Sequence, residues 1–194
     1  RWYNKQIYSK LGTSRRTEAI ALARGMGLLE VPQENNALLA MRPTLPTPTG
    51  PFVGRNREMQ EIIGLLNNPN MRLLSIVAVG GMGKSRLSLE VAHQIKDAYT
   101  HGAVFIDLTA CHNPKDIAQF ALDALRVNTS SSKNPEVLLL DYCLEKNLLL
   151  IFDNVEHLLA DISIFARILE HAPSVQIITT TREKLNLRIE TTYL

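Results

Sequence analysis

The feature that most constrains this chain is an apolar run, Leu73–Val79, that passes directly into Gly80-Gly81-Met82-Gly83-Lys84-Ser85 and from there into a helical pattern. A strand, a glycine-rich turn and a helix in that order form an anion cradle. Successive backbone amides curl around phosphate oxygens, the helix N-terminus adds its positive dipole end, and glycine lets the backbone approach closely. Lys84 then reaches the β and γ phosphates and Ser85 holds Mg²⁺. Gly80, Gly81, Met82, Gly83, Lys84, Ser85 and Arg86 are therefore candidate nucleotide-binding residues. Ala78 opens the eight-residue pattern where Gly is commoner, and a strand-end residue there needs no positive φ. The bland alternative is a glycine-rich turn with a surface lysine. The strand before and the helix after it favour the phosphate loop.

The rest of the body alternates apolar runs with helical stretches. Strands are predicted over 73–79, 104–108, 148–152 and 175–179, and helices over 58–66, 85–99, 115–125, 135–145 and 155–170. Near-continuous apolar strands separated by helices imply a parallel sheet covered on both faces, an α/β domain. The pattern is expected to continue past Leu194.

Two further residues sit where such sheets bind ligands, at the C-terminal ends of strands. Leu148–Phe152 ends in Asp153-Asn154, and Asp153 can hold Mg²⁺ directly or through water. Alternatively, Asp153 or Asn154 caps the helix that follows. Its position about 70 residues beyond the phosphate loop favours the metal role. The strand from Val175 ends at Arg182, which could touch the γ phosphate and distinguish ATP from ADP.

Pro51-Phe52-Val53-Gly54-Arg55-Asn56-Arg57-Glu58, the loop ending Gly83-Lys84-Ser85, Asp153-Asn154-Val155-Glu156-His157 and Thr180-Thr181-Arg182-Glu183 occur in that order. Together they resemble the STAND class of signal-transduction ATPases. The likeness is strongest to the bacterial branch related to the NB-ARC domains of plant resistance proteins and apoptotic regulators, and it covers about residues 51–194. The resemblance implies a P-loop NTPase fold with a five-stranded parallel sheet of order 5-1-4-3-2. It also implies that Phe52, Val53, Gly54 and Arg55 lie over the adenine and that Arg182 is the first sensor. ADP would be held in a closed state and exchanged for ATP on activation. Lys84, Asp153, Arg182 and Glu156 are then the candidate catalytic residues, with Ser85 and Asp153 the metal ligands.

Two departures bear on activity. Asn154 stands where a second acidic residue is often found, and an amide takes no proton from water at neutral pH. Glu156 is either its substitute or a residue on a solvated helix face, so hydrolysis is expected to be slow. The class's later helical and winged-helix segments, with a Gly-x-Pro motif and a nucleotide-proximal His, are absent from these 194 residues. The switch machinery is therefore expected to be incomplete here.

Charge separates the N-terminal segment from this body. Residues 1–30 hold six basic and two acidic residues, whereas the remaining 164 hold 15 basic and 17 acidic. A basic head on a near-neutral body suggests two jobs. Residues 1–11 and 17–24 read as short helices closed by Gly12 and Gly25. Arg1 to Ala19, with Lys10-Leu11-Gly12, Arg16-Thr17-Glu18-Ala19 and Gly27-Leu28-Leu29, resembles the last two helices of a LuxR-type helix-turn-helix. The likeness implies that Arg1, Trp2 and Lys5 face bases or phosphates and Lys10 the backbone. An amphipathic basic helix capping the ATPase is the alternative. The earlier scaffold helices are missing from the chain, so DNA binding is expected of a complete parent head rather than of this chain alone.

The expected domains are thus a head over 1–29, a proline-rich linker over 30–50 (a surface-packed loop being the alternative), and a C-terminally truncated nucleotide-binding domain over 51–194. Cys111 and Cys143 are too few and scattered for a disulfide framework or zinc site, and read as buried thiols in a reducing, cytoplasmic compartment. No run reaches the 18 or so apolar residues that span a membrane. The expected function is an ATP/ADP switch module of a bacterial transcription regulator, nucleotide state governing self-association and DNA binding. The alternative is a turnover ATPase, a motor or phosphotransferase, on the same loop.

Overall fold

The computed structural model describes residues 45–47, 50–68, 70–129 and 134–194. All lie in the second of two units into which the chain divides, Arg42–Leu194. The head helices, the candidate DNA contacts Arg1, Trp2, Lys5 and Lys10, and most of the expected linker fall outside the described residues.

In chain order the elements are α1 (Asn56–Leu66), β1 (Leu73–Val77), α2 (Lys84–Ile95), β2 (Ala103–Asp107), α3 (Ile117–Ala124), α4 (Pro135–Cys143), β3 (Leu148–Asp153), α5 (Ser163–His171), β4 (Val175–Thr181) and β5 (Glu190–Tyr193). The strands form one parallel sheet in the order β2-β3-β4-β1-β5. This is the expected 5-1-4-3-2 order, read from the other edge.

The near-continuous apolar strands are explained by burial on both faces. In β3, Leu148, Leu150 and Phe152 face a core built with α3, α4 and α5, where the Phe152 and Phe165 rings lie 4.8 Å apart. Leu149 and Ile151 face the opposite core with Ile62 of α1 and Leu87 and Val91 of α2. Full burial of each such side chain contributes about 1.5–3 kcal/mol. Where β1 and β4 lie side by side, the fully buried Thr179 hydroxyl donates to Ser75 Oγ at 2.9 Å, so neither is left unsatisfied.

Most element ends differ from the sequence expectation by a few residues, and three differences matter for the architecture. First, β1 stops at Val77 rather than Val79. Ala78 N–H still donates to Thr181 O at 3.3 Å, but the Ala78 and Val79 carbonyls turn to Lys84. Second, the single helix expected over 155–170 is a 3₁₀ turn, Glu156–Leu158, followed by α5. Asp161 Oδ1 accepts from both the Ser163 N–H (3.2 Å) and its hydroxyl (2.7 Å) across the entry to α5, whose N-cap Ile162 makes no side-chain cap bond. Third, the edge strand β5 falls within the chain, although its Glu-Thr-Thr-Tyr sequence carries no apolar run. Tyr193 ties it to α1, its hydroxyl donating to Glu61 Oε2 at 2.7 Å. That bond and the Arg57 ion pair hold the Glu61 carboxyl below its ordinary range.

The described part of the expected linker has no regular structure, yet it touches the domain. Leu45 packs on the α1–α2 core, Pro46 O lies 3.0 Å from His93 Nε2, and Gly50 O accepts from Arg86 at 2.6 Å.

Candidate functional site

Because all strands run the same way, every strand-to-helix turn opens at one edge of the sheet. The turn after β1 is built on two left-handed glycines, Gly81 (φ 78°) and Gly83 (φ 75°), the latter capping α2. The first α2 amides have no earlier carbonyl to bond. Among the described residues, the amides of Gly80 to Ser85 donate to no backbone carbonyl. They edge a hollow of about 370 Å³ lined by Gly80, Gly81, Gly83, Lys84, Ser85 and Arg86 together with Asn154, Glu156, Thr180 and Arg182. Unpaired amides around an open hollow are what an anion cradle requires.

The sequence-predicted residues take up distinct places here. Lys84 Nζ donates to Ala78 O (2.8 Å) and Val79 O (3.3 Å), so the ammonium is held at the loop's own mouth. Ser85 is exposed at the start of α2, and Met82 is 47% exposed on the loop. Arg86 lines the hollow, but its guanidinium is shared between Gly50 O and Glu90, the latter at 2.8 Å. Arg55, itself left-handed at φ 57°, begins α1; its Nη1 lies 3.9 Å from where a Cβ on Gly83 would stand. Phe52 packs on the α1–α2 core, whereas Val53 is 85% exposed and Gly54 is left-handed at φ 80°.

At the β3 tip, Asp153 is buried, and its Oδ1 accepts from Thr180 Oγ1 at 2.5 Å. The same Thr180 oxygen accepts the Asn154 N–H at 2.9 Å. Asn154 is left-handed at φ 66°, and its side-chain amide donates to Thr109 Oγ1 at 3.4 Å. Asp153 ends the strand, and no side chain of Asp153 or Asn154 caps the 3₁₀ turn that follows. Arg182 follows β4 and pairs through Nε with Glu156 Oε1 at 2.9 Å. Its guanidinium lies along Gly80, where an added Cβ would meet Nη2 at 3.4 Å. Glu156 is half-buried rather than on a solvated helix face, and its Oε2 is buried with no hydrogen-bond partner among the described residues.

The residues fit a magnesium-bound nucleoside phosphate. The amides and Lys84 could supply donors, and Ser85 and Asp153, the latter buried behind the lining residue Thr180, could supply two oxygen ligands. Among the described residues no group of three or more His, Cys, Asp or Glu side chains could hold a metal alone. Mg²⁺ ordinarily takes only one or two carboxylates and completes its shell with phosphate and water, so that sparse set suits it. Sequence reasoning quoted Thr180 within a motif but gave it no role. A threonine in a strand reads as a β-former, and nothing local marks the hydroxyl that joins two strand ends.

Cys111 and Cys143 are both buried free thiols, and no described helix is long and apolar enough to cross a membrane.

The NB-ARC domain family profile matches residues 55–186. Protein Rv0894 of Mycobacterium tuberculosis is 32% identical over 143 residues, covering 73% of this chain and 36% of its own length. The protein named "Putative HTH-type transcriptional regulator Rv0890c", from the same organism, is 27% identical over 125 residues, covering 63% and 14%. The chain thus spans little more than a third of the first relative and a smaller share of the second. Among solved structures, Cdc6p from Pyrobaculum aerophilum superposes with a TM-score of 0.55 at 14% identity, over 77% of this chain and 46% of that one. The Aeropyrum pernix ORC2 protein, solved as ADPNP–ADP complexes, gives 0.52 at 12% identity over 72% and 44%. These two likenesses show the fold.

Proposed function

The chain belongs to the NB-ARC domain family, and from that premise we propose that it is an ADP/ATP-binding switch module with slow hydrolysis at most. The observation that carries this reading is the 370 Å³ hollow edged by the unpaired Gly80–Ser85 amides, with buried Asp153 hydrogen-bonded to a lining residue, Thr180. Gly80 to Ser85 would hold the phosphates, with Lys84 moving from its two carbonyls to phosphate oxygens, and Ser85 and Asp153 would hold Mg²⁺. A bound magnesium ion would neutralise phosphate charge. By the resemblance the base would lie against Phe52–Arg55, where the 85% exposed Val53 side chain could offer an apolar contact. The A. pernix ORC2 structure, with ADPNP and ADP on the same fold, supports an adenine nucleotide.

Slow turnover follows from the same side chains. Asn154 has no basicity, and the carboxylate two residues further on, Glu156, is tied to Arg182. Rotation of Arg182 toward a terminal phosphate would let nucleotide state bias the conformation around β4. The match to an HTH-type regulator supports placing this module in a transcription regulator, with a basic DNA-binding head, a linker, self-association on activation and a cytoplasmic setting.

The test is calorimetric titration of the purified chain with ADP and ATP in Mg²⁺, alongside a phosphate-release assay. Dissociation constants near 10 μM or tighter are expected, about −7 kcal/mol, with turnover below about one per second. Steady turnover of about 1–1000 per second would establish the enzyme reading instead. Absence of binding at about 1 mM nucleotide, only −4 kcal/mol, would overturn both.

A further inference from the structure

Glu156 stands out once the phosphate site is assigned. It contributes one oxygen to Arg182 at 2.9 Å, while the other is buried without a partner among the described residues. The two side chains are unequally placed: Glu156 is 17% exposed and fixed on its 3₁₀ turn, whereas Arg182 is 62% exposed and laid along Gly80. Both line the hollow. The carboxylate therefore holds Arg182 through Nε, while Nη2 lies nearest Gly80 at the turn where the phosphate loop begins.

We propose that Glu156 is an internal competitor for Arg182 and sets the discrimination between nucleoside tri- and diphosphates. The inference rests on the nucleotide-binding reading above. Arg182 donates in a fixed fork, and a carboxylate and a terminal phosphate suit that fork equally well. The pair engages Nε alone, so a terminal phosphate that draws the guanidinium into the hollow through its Nη donors pulls Nε off Oε1 and leaves the Glu156 carboxylate without its cation beside added negative charge. A ligand one phosphate shorter leaves the pair intact. Glu156 thus taxes the triphosphate and spares the diphosphate. An ion pair with one partner in water is worth little by itself. The carboxylate left behind is the costlier part, being largely shielded from water with one oxygen already unsatisfied. The residue is accordingly a specificity determinant acting through Arg182, a different role from taking a proton from water.

The experiment measures the affinity of the whole chain for ADP and for the non-hydrolysable β,γ-imido analogue of ATP in Mg²⁺. The variants are Glu156→Gln, Arg182→Gln and the double variant, each with its thermal midpoint recorded. Glu156→Gln keeps the shape and removes the charge. It is expected to tighten the triphosphate analogue about tenfold and to move ADP by no more than about twofold. Arg182→Gln is expected to weaken the analogue and spare ADP, and in that background the gain from Glu156→Gln disappears. Unchanged or weaker analogue binding by Glu156→Gln, or a gain that persists without Arg182, overturns the proposal while leaving nucleotide binding standing. Loss of hydrolysis alone, at unchanged affinity, would make Glu156 a base and would also overturn it. Should Glu156→Gln fold poorly, Arg182→Gln decides: equal losses for both ligands defeat the proposal. Failure of the unsubstituted chain to bind either ligand defeats the underlying reading itself.

Discussion

Thr180 Oγ1 donates to Asp153 Oδ1 at 2.5 Å while accepting the Asn154 N–H at 2.9 Å, so one hydroxyl on β4 fixes both residues at the tip of β3. The carboxylate proposed to hold Mg²⁺ thus has its orientation set from the neighbouring strand. Such outer partners commonly decide how well a ligand performs.

Thr180→Val keeps the branched shape and removes the hydroxyl, leaving a buried carboxylate oxygen and a backbone donor unsatisfied. The expected cost is about 1–3 kcal/mol of stability and about a tenfold loss in the Mg²⁺-dependent part of ATP affinity. Thr180→Ser should restore most of that increment. Titrations with Mg²⁺ and with EDTA check this; a Mg²⁺ increment equal in all three proteins would make Thr180 purely structural.

Lys84 provides a cleaner separation of binding from folding. Its ammonium bonds to the Ala78 and Val79 carbonyls at the loop mouth, and the Val79 side chain is exposed, so the fold gains little from it. Lys84→Ala should shift the thermal midpoint by less than about 3 °C, the equivalent of some 1 kcal/mol in a domain of this size. Nucleotide affinity should fall at least about a hundredfold, nearly 3 kcal/mol, the scale of charge-assisted contacts to phosphate. Chromatography of nucleotide released from the denatured variant should show none, whereas an undiminished nucleotide peak would refute the cradle.

Gly81 tests backbone conformation without a steric clash. Its φ is 78°, and a Cβ built there meets nothing within 4 Å. Gly81→Ala should therefore cost only the left-handed penalty, about 1–2 kcal/mol, lowering the thermal midpoint by about 2–8 °C. Gly81→Asn should cost less, because asparagine visits that region more readily. Equal midpoints for the unsubstituted chain and both variants would show that the turn relaxes freely.

The strong periodic signals gave the architecture, and the weak ones did not. The four apolar strands and the phosphate loop are legible because buried parallel strands are apolar on both faces. β5 was hidden because its half-exposed Glu-Thr-Thr-Tyr edge presents no such run. The break before α5 was masked by Leu158, Leu159 and Ile162, which keep a helical spacing up to the Asp161–Ser163 bonds at the entry to α5. At the site, Lys84, Ser85, Asp153 and Arg182 could be singled out from strand-end logic. The Thr180–Asp153 and Glu156–Arg182 contacts join residues 27 and 26 positions apart. Only tertiary structure brings such pairs together, and no local pattern encodes them.

The buried ionisable groups remote from the site predict alkaline behaviour. Cys143 is fully buried, and burial pushes its thiol up to about 12; burial likewise raises the Tyr99 hydroxyl to about 12. Cys111 is raised as well, again by burial first. In each case the folded chain retains a proton that the unfolded chain releases earlier. The native state therefore binds more protons above about pH 8 for the thiols and about pH 9 for the tyrosine, and stability falls as pH rises from there toward 12, by up to about 1.4 kcal/mol per pH unit for each fully differential group. Below about pH 7.5, a unit under the free thiol value, these groups are protonated in both states and contribute no slope. Urea unfolding across that range should show a plateau followed by a decline. The thiols should also resist a disulfide reagent near pH 8 in the native chain, and both should react in concentrated guanidinium. Rapid native labelling of Cys143 would contradict its burial, and a flat alkaline profile would contradict the raised proton affinities.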